Sequence, residues 1–209
     1  MYLYKTVYEY GEAEIVIEKS RFIARVMPIE SYEEGQTFVA EIKQQYKDAT
    51  HNVPAIIFGR KQEMQWASDD GEPSGTSGMP MLKVMADMGL TNLAVVVTRY
   101  FGGVKLGTGG LSRAYSSLAK AGIEAAGICE VKKSIDLDCQ MEYTYFPRVQ
   151  NSAKDGLFEI HNIEYSDKVS MTVSCMEENG EEMKSRLQNL TLGQVLITEE
   201  KNILKKFKI

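Results

Sequence analysis

Polar and apolar residues alternate along Glu12–Glu18 (EAEIVIE) and again from Ser20 to Ile29, where Phe22, Ala24 and Val26 share a face. A period of two predicts two half-buried strands. Ser31 then stands where an N-cap is expected, with Glu34 as its capping-box partner. Phe38, Val39, Ile42 and Tyr46 follow at helical spacing and predict a helix with one apolar face. Asn52–Phe58 (NVPAIIF) predicts a short apolar strand, where Pro54 hints at an edge or an irregular start. Glu63–Trp66 predicts another short strand. Met79–Met88 predicts a helix with Met81, Leu82, Met85 and Met88 inward, closed by Gly89. Leu93–Thr98 (LAVVVT) is continuously apolar, which predicts a strand covered on both faces. A helix from about Gly109 to Ala126 follows, with Leu111, Ala114, Tyr115, Leu118 and Ala125 as its inner face.

Gly127–Lys133 reads as a linker, and the pattern restarts beyond it. A strand over Ser134–Met141 leads to a helix over Thr144–Lys154, where Pro147 is tolerated in the first turn. Strands over Leu157–Tyr165 and Lys168–Met176 flank a tight turn at Ser166-Asp167. Met183, Leu187 and Leu190 mark a second helix, and Gly193–Ile197 a closing strand. The order β-α-β-β-α-β is a split βαβ motif, an open sheet with two helices on one face. The tail, EEKNILKKFKI, reads as a last strand or a loose end. The expectation is an α+β protein of two domains, 1–130 and 131–209.

Two glycine-rich stretches interrupt the first domain. Ser68–Pro80 (SDDGEPSGTSGMP) holds Asp69, Asp70, Gly71, Glu72, Pro73, Gly75, Thr76, Gly78 and Pro80. Arg99–Tyr115 (RYFGGVKLGTGGLSRAY) holds Tyr100, Gly102 and Gly103, then Gly107, Thr108, Gly109 and Gly110 at a helix start. Glycine costs about 0.5–1 kcal/mol relative to alanine in regular structure, so such density points to special backbone geometry or close backbone approach. Strand, glycines, helix is the layout that cradles an anion on backbone N–H groups. Arg99, Lys105 and Arg113 flank the glycines, and together with Gly107–Gly110 they are the candidate anion or RNA contacts. A tight strand-to-helix connection explains the glycines equally well. There is no G-x-x-x-x-G-K-[ST] and no correctly placed G-x-G-x-x-G, so neither a P-loop nor a dinucleotide fingerprint is present.

Charge and rare residues narrow the chemistry. The net charge of -5 disfavours a chain-wide polycation, though not a local basic face. Asp69, Asp70 and Glu72 could hold a hard cation, but capping helices and bending the chain is favoured over metal, and the acids could equally neutralise Arg99 or Arg113. Cys129, Cys139 and Cys175 lack paired short spacing, which argues against disulfides, zinc and a thiol nucleophile. His51 and His161 are the only histidines, and no G-x-S-x-G elbow accompanies them. His51 precedes a strand and could face the loops as an auxiliary residue. No signal peptide, membrane span, metal, cofactor or catalytic residue is expected, and the expected location is cytoplasmic.

SDDGEPSGTSGMP followed by VVVTRYFGGVKLGTGGLSRAY resembles the signature of the IMPACT family, in its two-domain bacterial form; KSRFIA (Lys19–Ala24) and the His51-x-x-x-Ala55 spacing fit as well. Position 53 is Val where a cysteine is common in the family. The resemblance implies an N-terminal α/β domain of the ribosomal-protein and elongation-factor type, its sheet backed by helices. It implies a C-terminal ferredoxin-like domain similar to the last domain of elongation factor G. Eukaryotic relatives regulate translation through a further domain absent here. For this chain the resemblance implies a non-catalytic partner of RNA, the ribosome or a translation factor, without DNA sequence specificity. The alternatives are an enzyme for a small phosphorylated substrate at the glycine loops, or a protein-binding regulator with no anion site.

Overall fold

The computed structural model describes residues 2–209. It divides into two compact units, Tyr2–Val131 with Lys206–Ile209, and Lys132–Lys205.

The first unit runs β1 (Tyr4–Val7), β2 (Gly11–Ile17), β3 (Ser20–Pro28), α1 (Tyr32–Gln45), β4 (His51–Phe58), β5 (Met64–Ala67), α2 (Gly78–Asp87), β6 (Leu93–Tyr100), α3 (Gly107–Ala126) and the start of β7 (Ile128–Met141). An antiparallel sheet orders its strands β2-β3-β6-β4-β5. On one face Phe22, Ala24, Val53, Ala55, Val95 and Val97 meet Met81 and Met85 of α2 and Tyr115, Leu118 and Ile123 of α3. On the other, Ile56, Ala94 and Val96 meet Phe38, Val39 and Ile42 of α1. β6 is central and covered twice, which is why its sequence is continuously apolar.

Local signals behave as the chemistry dictates, with instructive exceptions. Ser31 Oγ accepts from the Glu34 N–H at 3.0 Å and caps α1, but the Glu34 carboxylate reaches back to the Glu30 N–H at 2.6 Å, one residue beyond the usual box. Pro54 sits inside β4, between two strands. Its carbonyl accepts from the Ser68 N–H at 3.2 Å, on the β5 side. The N and O of one residue point the same way, so the missing N–H faces past the end of β5 and costs no ladder bond to β6. Ala125 is exposed and Ala126 is buried instead. Ala126 follows Ala119 by seven residues, Gly122 by four and Ile123 by three, so it continues the buried stripe that those residues form.

The expected linker at Gly127–Lys133 is the beginning of β7, paired antiparallel with β1 from Tyr4↔Val131 to Val7↔Ile128. Cys129 lies buried in that strand. The alternation Cys129, Val131 against Glu130, Lys132 was present but short, and its partner was an unremarked four-residue strand.

The second unit continues β7 into α4 (Phe146–Ser152) and a 3-10 turn at Ala153–Asp155, then β8 (Glu159–Tyr165), β9 (Val169–Met176), α5 (Gly180–Leu190) and β10 (Leu196–Lys208). Its strands order β10-β7-β9-β8, the ferredoxin-like arrangement. Ile135, Leu137, Cys139 and Val173 pack on Phe146 and Val149 of α4 and Met183 and Leu187 of α5. The tail is neither loose nor a separate strand: β10 runs unbroken from Leu196 to Lys208. Its last residues belong with the first unit, where the Ile209 N–H donates to the Ile128 carbonyl at 3.1 Å and Lys208 meets Glu9 at 3.2 Å. A boundary at 131 therefore describes the chain only up to residue 205. Among the described residues no helix is long and apolar enough to cross a membrane.

Candidate functional site

Phe22, Arg99 and His51 are in register across β3, β6 and β4, on the face that α2 and α3 cover. Glu72, from the first glycine-rich loop, sits over this row. Arg99 Nη1 meets Glu72 Oε1 at 2.7 Å, with side chains only 5% and 3% exposed. The Tyr115 hydroxyl donates to the same oxygen at 2.7 Å. Burial, then the Glu72 charge, pushes the Tyr115 hydroxyl far above its ordinary range, so it stays protonated and donates. His51 Nε2 lies 3.8 Å from the other oxygen, Oε2. The Arg99 guanidinium also stands over the rings of Phe22 (5.0 Å) and Phe101 (5.3 Å). Its Nε is buried and makes no hydrogen bond.

Each acid of the first loop has a different task. Asp69 accepts from the N–H groups of Gly75 (2.7 Å), Ser77 (3.0 Å) and Gly78 (2.9 Å), so it caps α2 from outside the helix. Burial raises its pKa, but the three N–H donors outweigh this and hold the carboxyl below its ordinary value. Asp70 meets Lys43 at 2.5 Å and accepts from the Asn52 N–H at 2.6 Å. The Asp70 carbonyl accepts from His51 Nδ1 at 2.8 Å. Glu72 closes the loop onto Arg99, so the arginine-neutralising reading holds for this one acid. Thr76 bonds back to the Pro73 carbonyl at 2.6 Å, and Pro80 is the third residue of α2. Among the described residues no group of three or more His, Cys, Asp or Glu is placed to hold a metal.

The second loop is anchored at its base and free at its tip. Ser20 Oγ accepts from the Gly102 N–H (3.1 Å) and from Arg99 Nη2 (3.4 Å). Thr50 Oγ1 accepts from the Phe101 N–H at 3.0 Å. A Cβ on Gly102 would lie 2.0 Å from the Lys19 carbonyl carbon, so only glycine fits there. Tyr100 points away, toward Asp48 at 3.5 Å, and takes no part in the site. Gly103, Val104 and Lys105 are exposed, and α3 starts at Gly107 with no side-chain cap. Its first N–H groups are open.

A cavity of about 390 Å³ opens between these parts. His51, Glu72 and Arg99 form its polar lining, Phe101 and Leu111 are among its apolar walls, and Lys105, Gly107 and Thr108 also border it. A second groove of about 570 Å³ shares Lys105 and adds Glu18, Gly110 and Arg113. The sequence-predicted contacts are therefore divided: Arg99 is buried and neutralised, Arg113 lies in the second groove, Lys105 borders both, and Gly109 is exposed on the helix start. Among the described residues nothing pairs with the Lys105 or Arg113 side chains, whereas Arg21, Arg25, Lys43 and Lys83 all have carboxylate partners. In the second unit Lys133, Lys168, Lys184, Arg186 and Lys201 are likewise paired with carboxylates, so these residues offer an anion no free cation. Sequence reasoning missed Ser20, Phe22, Thr50, Phe101 and Tyr115. Phe101 and Tyr115 stand inside the second glycine-rich stretch and Ser20 and Phe22 inside KSRFIA, which was the available signal, whereas Thr50 lies outside every motif.

A two-domain α+β protein whose two glycine-rich stretches border one cavity is thus defined. The Impact N-terminal domain family matches residues 18–123, and a domain of unknown function, DUF1949, matches 139–194. IMPACT family member YvyE of Bacillus subtilis is 40% identical over 199 residues, 95% of this chain and 92% of that protein. IMPACT family member YigZ of Escherichia coli is 30% identical over 188 residues, 88% of this chain and 92% of its own. A solved structure titled as a hypothetical protein superposes with a TM-score of 0.60 at 28% identity, covering 94% of this chain and 97% of that one. The chain belongs to the IMPACT family.

Proposed function

We propose that this protein is a non-catalytic, cytoplasmic binding protein of the translation apparatus, and that its first unit binds single-stranded RNA. The observation that carries the reading is the pair of unpartnered cations, Lys105 and Arg113, on either side of the uncapped start of α3, with Phe101 45% exposed on the neighbouring cavity wall. Open helix N–H groups and free cations suit phosphate, and an exposed aromatic suits a stacked base. The net charge of -5 confines any such contact to this local face. The family resemblance supports translation as the setting, and Protein IMPACT of Mus musculus matches 44% of this chain at 34% identity, over 30% of its own length.

One observation favours a second reading, an enzyme for a small phosphorylated substrate. His51 is oriented through Nδ1 and stands beside a buried carboxylate, an arrangement that suits a general base. Titration with single-stranded RNA at several salt concentrations tests the first reading. Log affinity should fall with log salt by about 0.7 per phosphate contact, and Arg113→Ala should flatten the slope by about one contact. No RNA binding by wild type at low salt would overturn it, leaving the enzyme or a protein-binding regulator.

A further inference from the structure

The polar end of the cavity has an imbalance that the RNA reading leaves unexplained. The Asp70 carbonyl can only accept, so His51 Nδ1 must carry the hydrogen between them. In the neutral ring Nε2 is then left as an acceptor. It faces Glu72 Oε2, a second acceptor, at 3.8 Å. Arg99 Nη1 and the Tyr115 hydroxyl both donate to Oε1, and among the described residues no hydrogen bond reaches Oε2. Two acceptors thus stand side by side at the edge of the network, bordering a cavity with apolar walls. The Glu72 side chain is only 3% exposed and the His51 side chain 18%, and a ligand that brings donors would satisfy two acceptors that otherwise face each other.

We propose that the cavity takes one unpaired nucleobase bearing an exocyclic amino group, and that Glu72 Oε2 and His51 Nε2 each accept one of its amino hydrogens. The proposal rests on the RNA reading above. A volume of about 390 Å³ lies near the lower end for small-ligand pockets and has room for a single nucleoside. Phe101 supplies a stacking wall, and the open start of α3 with Lys105 lies at the border where the attached phosphate would leave. Adenine, cytosine and guanine carry the amine. Uracil does not: its single imino N–H can satisfy one acceptor and leaves the other unpaired. A site built to hydrogen-bond a group rejects the analogue that lacks it more strongly than it rewards a good fit.

The test is calorimetric titration of the full chain with AMP, CMP, GMP and UMP at low salt and pH 8, where an ordinary imidazole is neutral, beside titration with single-stranded RNA. UMP should bind about tenfold more weakly than the three amino-bearing nucleotides. His51→Leu should bring those three toward the UMP value. Equal affinity for all four nucleotides, or no nucleotide binding where RNA still binds, overturns the base-reading proposal and leaves the RNA reading standing. Absence of both nucleotide and RNA binding overturns the two together. The wild-type comparison decides the matter even where His51→Leu fails to fold.

Discussion

His51 and Arg99 face each other across β4 and β6 and address opposite oxygens of one carboxylate, that of Glu72. The pairing ties the acidic loop to β4 and to the central strand β6. Neither partner is near the other in sequence, and Glu72 stands 21 positions beyond His51, with the rest of β4 and the hairpin strand β5 between them.

The Glu72–Arg99 pair should therefore be expensive to break from one side. Arg99→Met leaves a carboxylate buried without its charge partner, and the expected loss is about 3–5 kcal/mol of unfolding free energy. Replacing both residues together with apolar ones should cost clearly less than the single change. Urea denaturation of the single and double variants measures this. A single variant within 1 kcal/mol of wild type, on the order of an exposed pair, would show that the pair is solvated in solution.

Asp69 gives a pH signature. Its carboxyl is held below the ordinary value in the folded state, so its contribution is fully present above about pH 3.9, the unfolded value, and is lost as pH falls through the folded one. Asp69→Asn should destabilise by about 0.5–2 kcal/mol at pH 7, the range for losing a helix cap. That difference should shrink below about pH 3.9. A wild-type-minus-variant difference that stays flat down to pH 3 would mean the N–H donors do not hold the ionised form.

Much of this architecture was legible. Period-two alternation located β2 and β3, and the doubly covered β6 announced itself by having no polar face. Ser31 and Glu34 marked the start of α1 because capping is local chemistry. The site was legible as a list but not as a geometry. Arg99 looked like a candidate anion contact because nothing in the sequence places Glu72 above it from 27 positions away. Tyr115 read as plain core, although its ring packs on Phe22 while its hydroxyl reaches Glu72. Long-range register, not propensity, decides such matters. The same limit hid β1 and the start of β7, which are strands only because each supplies the other's partner.

The end of β10 makes a prediction about independence. Lys206–Ile209 belong with the first unit, so a fragment of residues 132–205 should fold without them. Its far-ultraviolet circular dichroism should show mixed α+β structure and a cooperative thermal transition. A random-coil spectrum would show that the split βαβ pattern cannot close its own core. In the full chain, deleting residues 206–209 should lower the stability of the first unit, since the Ile209 and Lys208 contacts go with them.

Gly102 and Gly109 separate what the fold needs from what a ligand needs. A methyl on Gly102 would collide with the Lys19 backbone, which cannot give way, so Gly102→Ala should destabilise strongly whatever the protein binds. A methyl on Gly109 would meet nothing within 4 Å. Alanine is the better helix former by roughly 0.8–1 kcal/mol, so Gly109→Ala should raise stability by up to about that amount. If the bare backbone at the start of α3 serves to let a phosphate approach, the same methyl should weaken single-stranded RNA binding. The expected variant is thus more stable and a poorer binder, the trade that marks a functional position. Urea midpoints and RNA titrations on the same protein read both quantities. Higher stability with unchanged RNA affinity would assign the glycine to history rather than to binding, and would remove the helix start from the proposed contact.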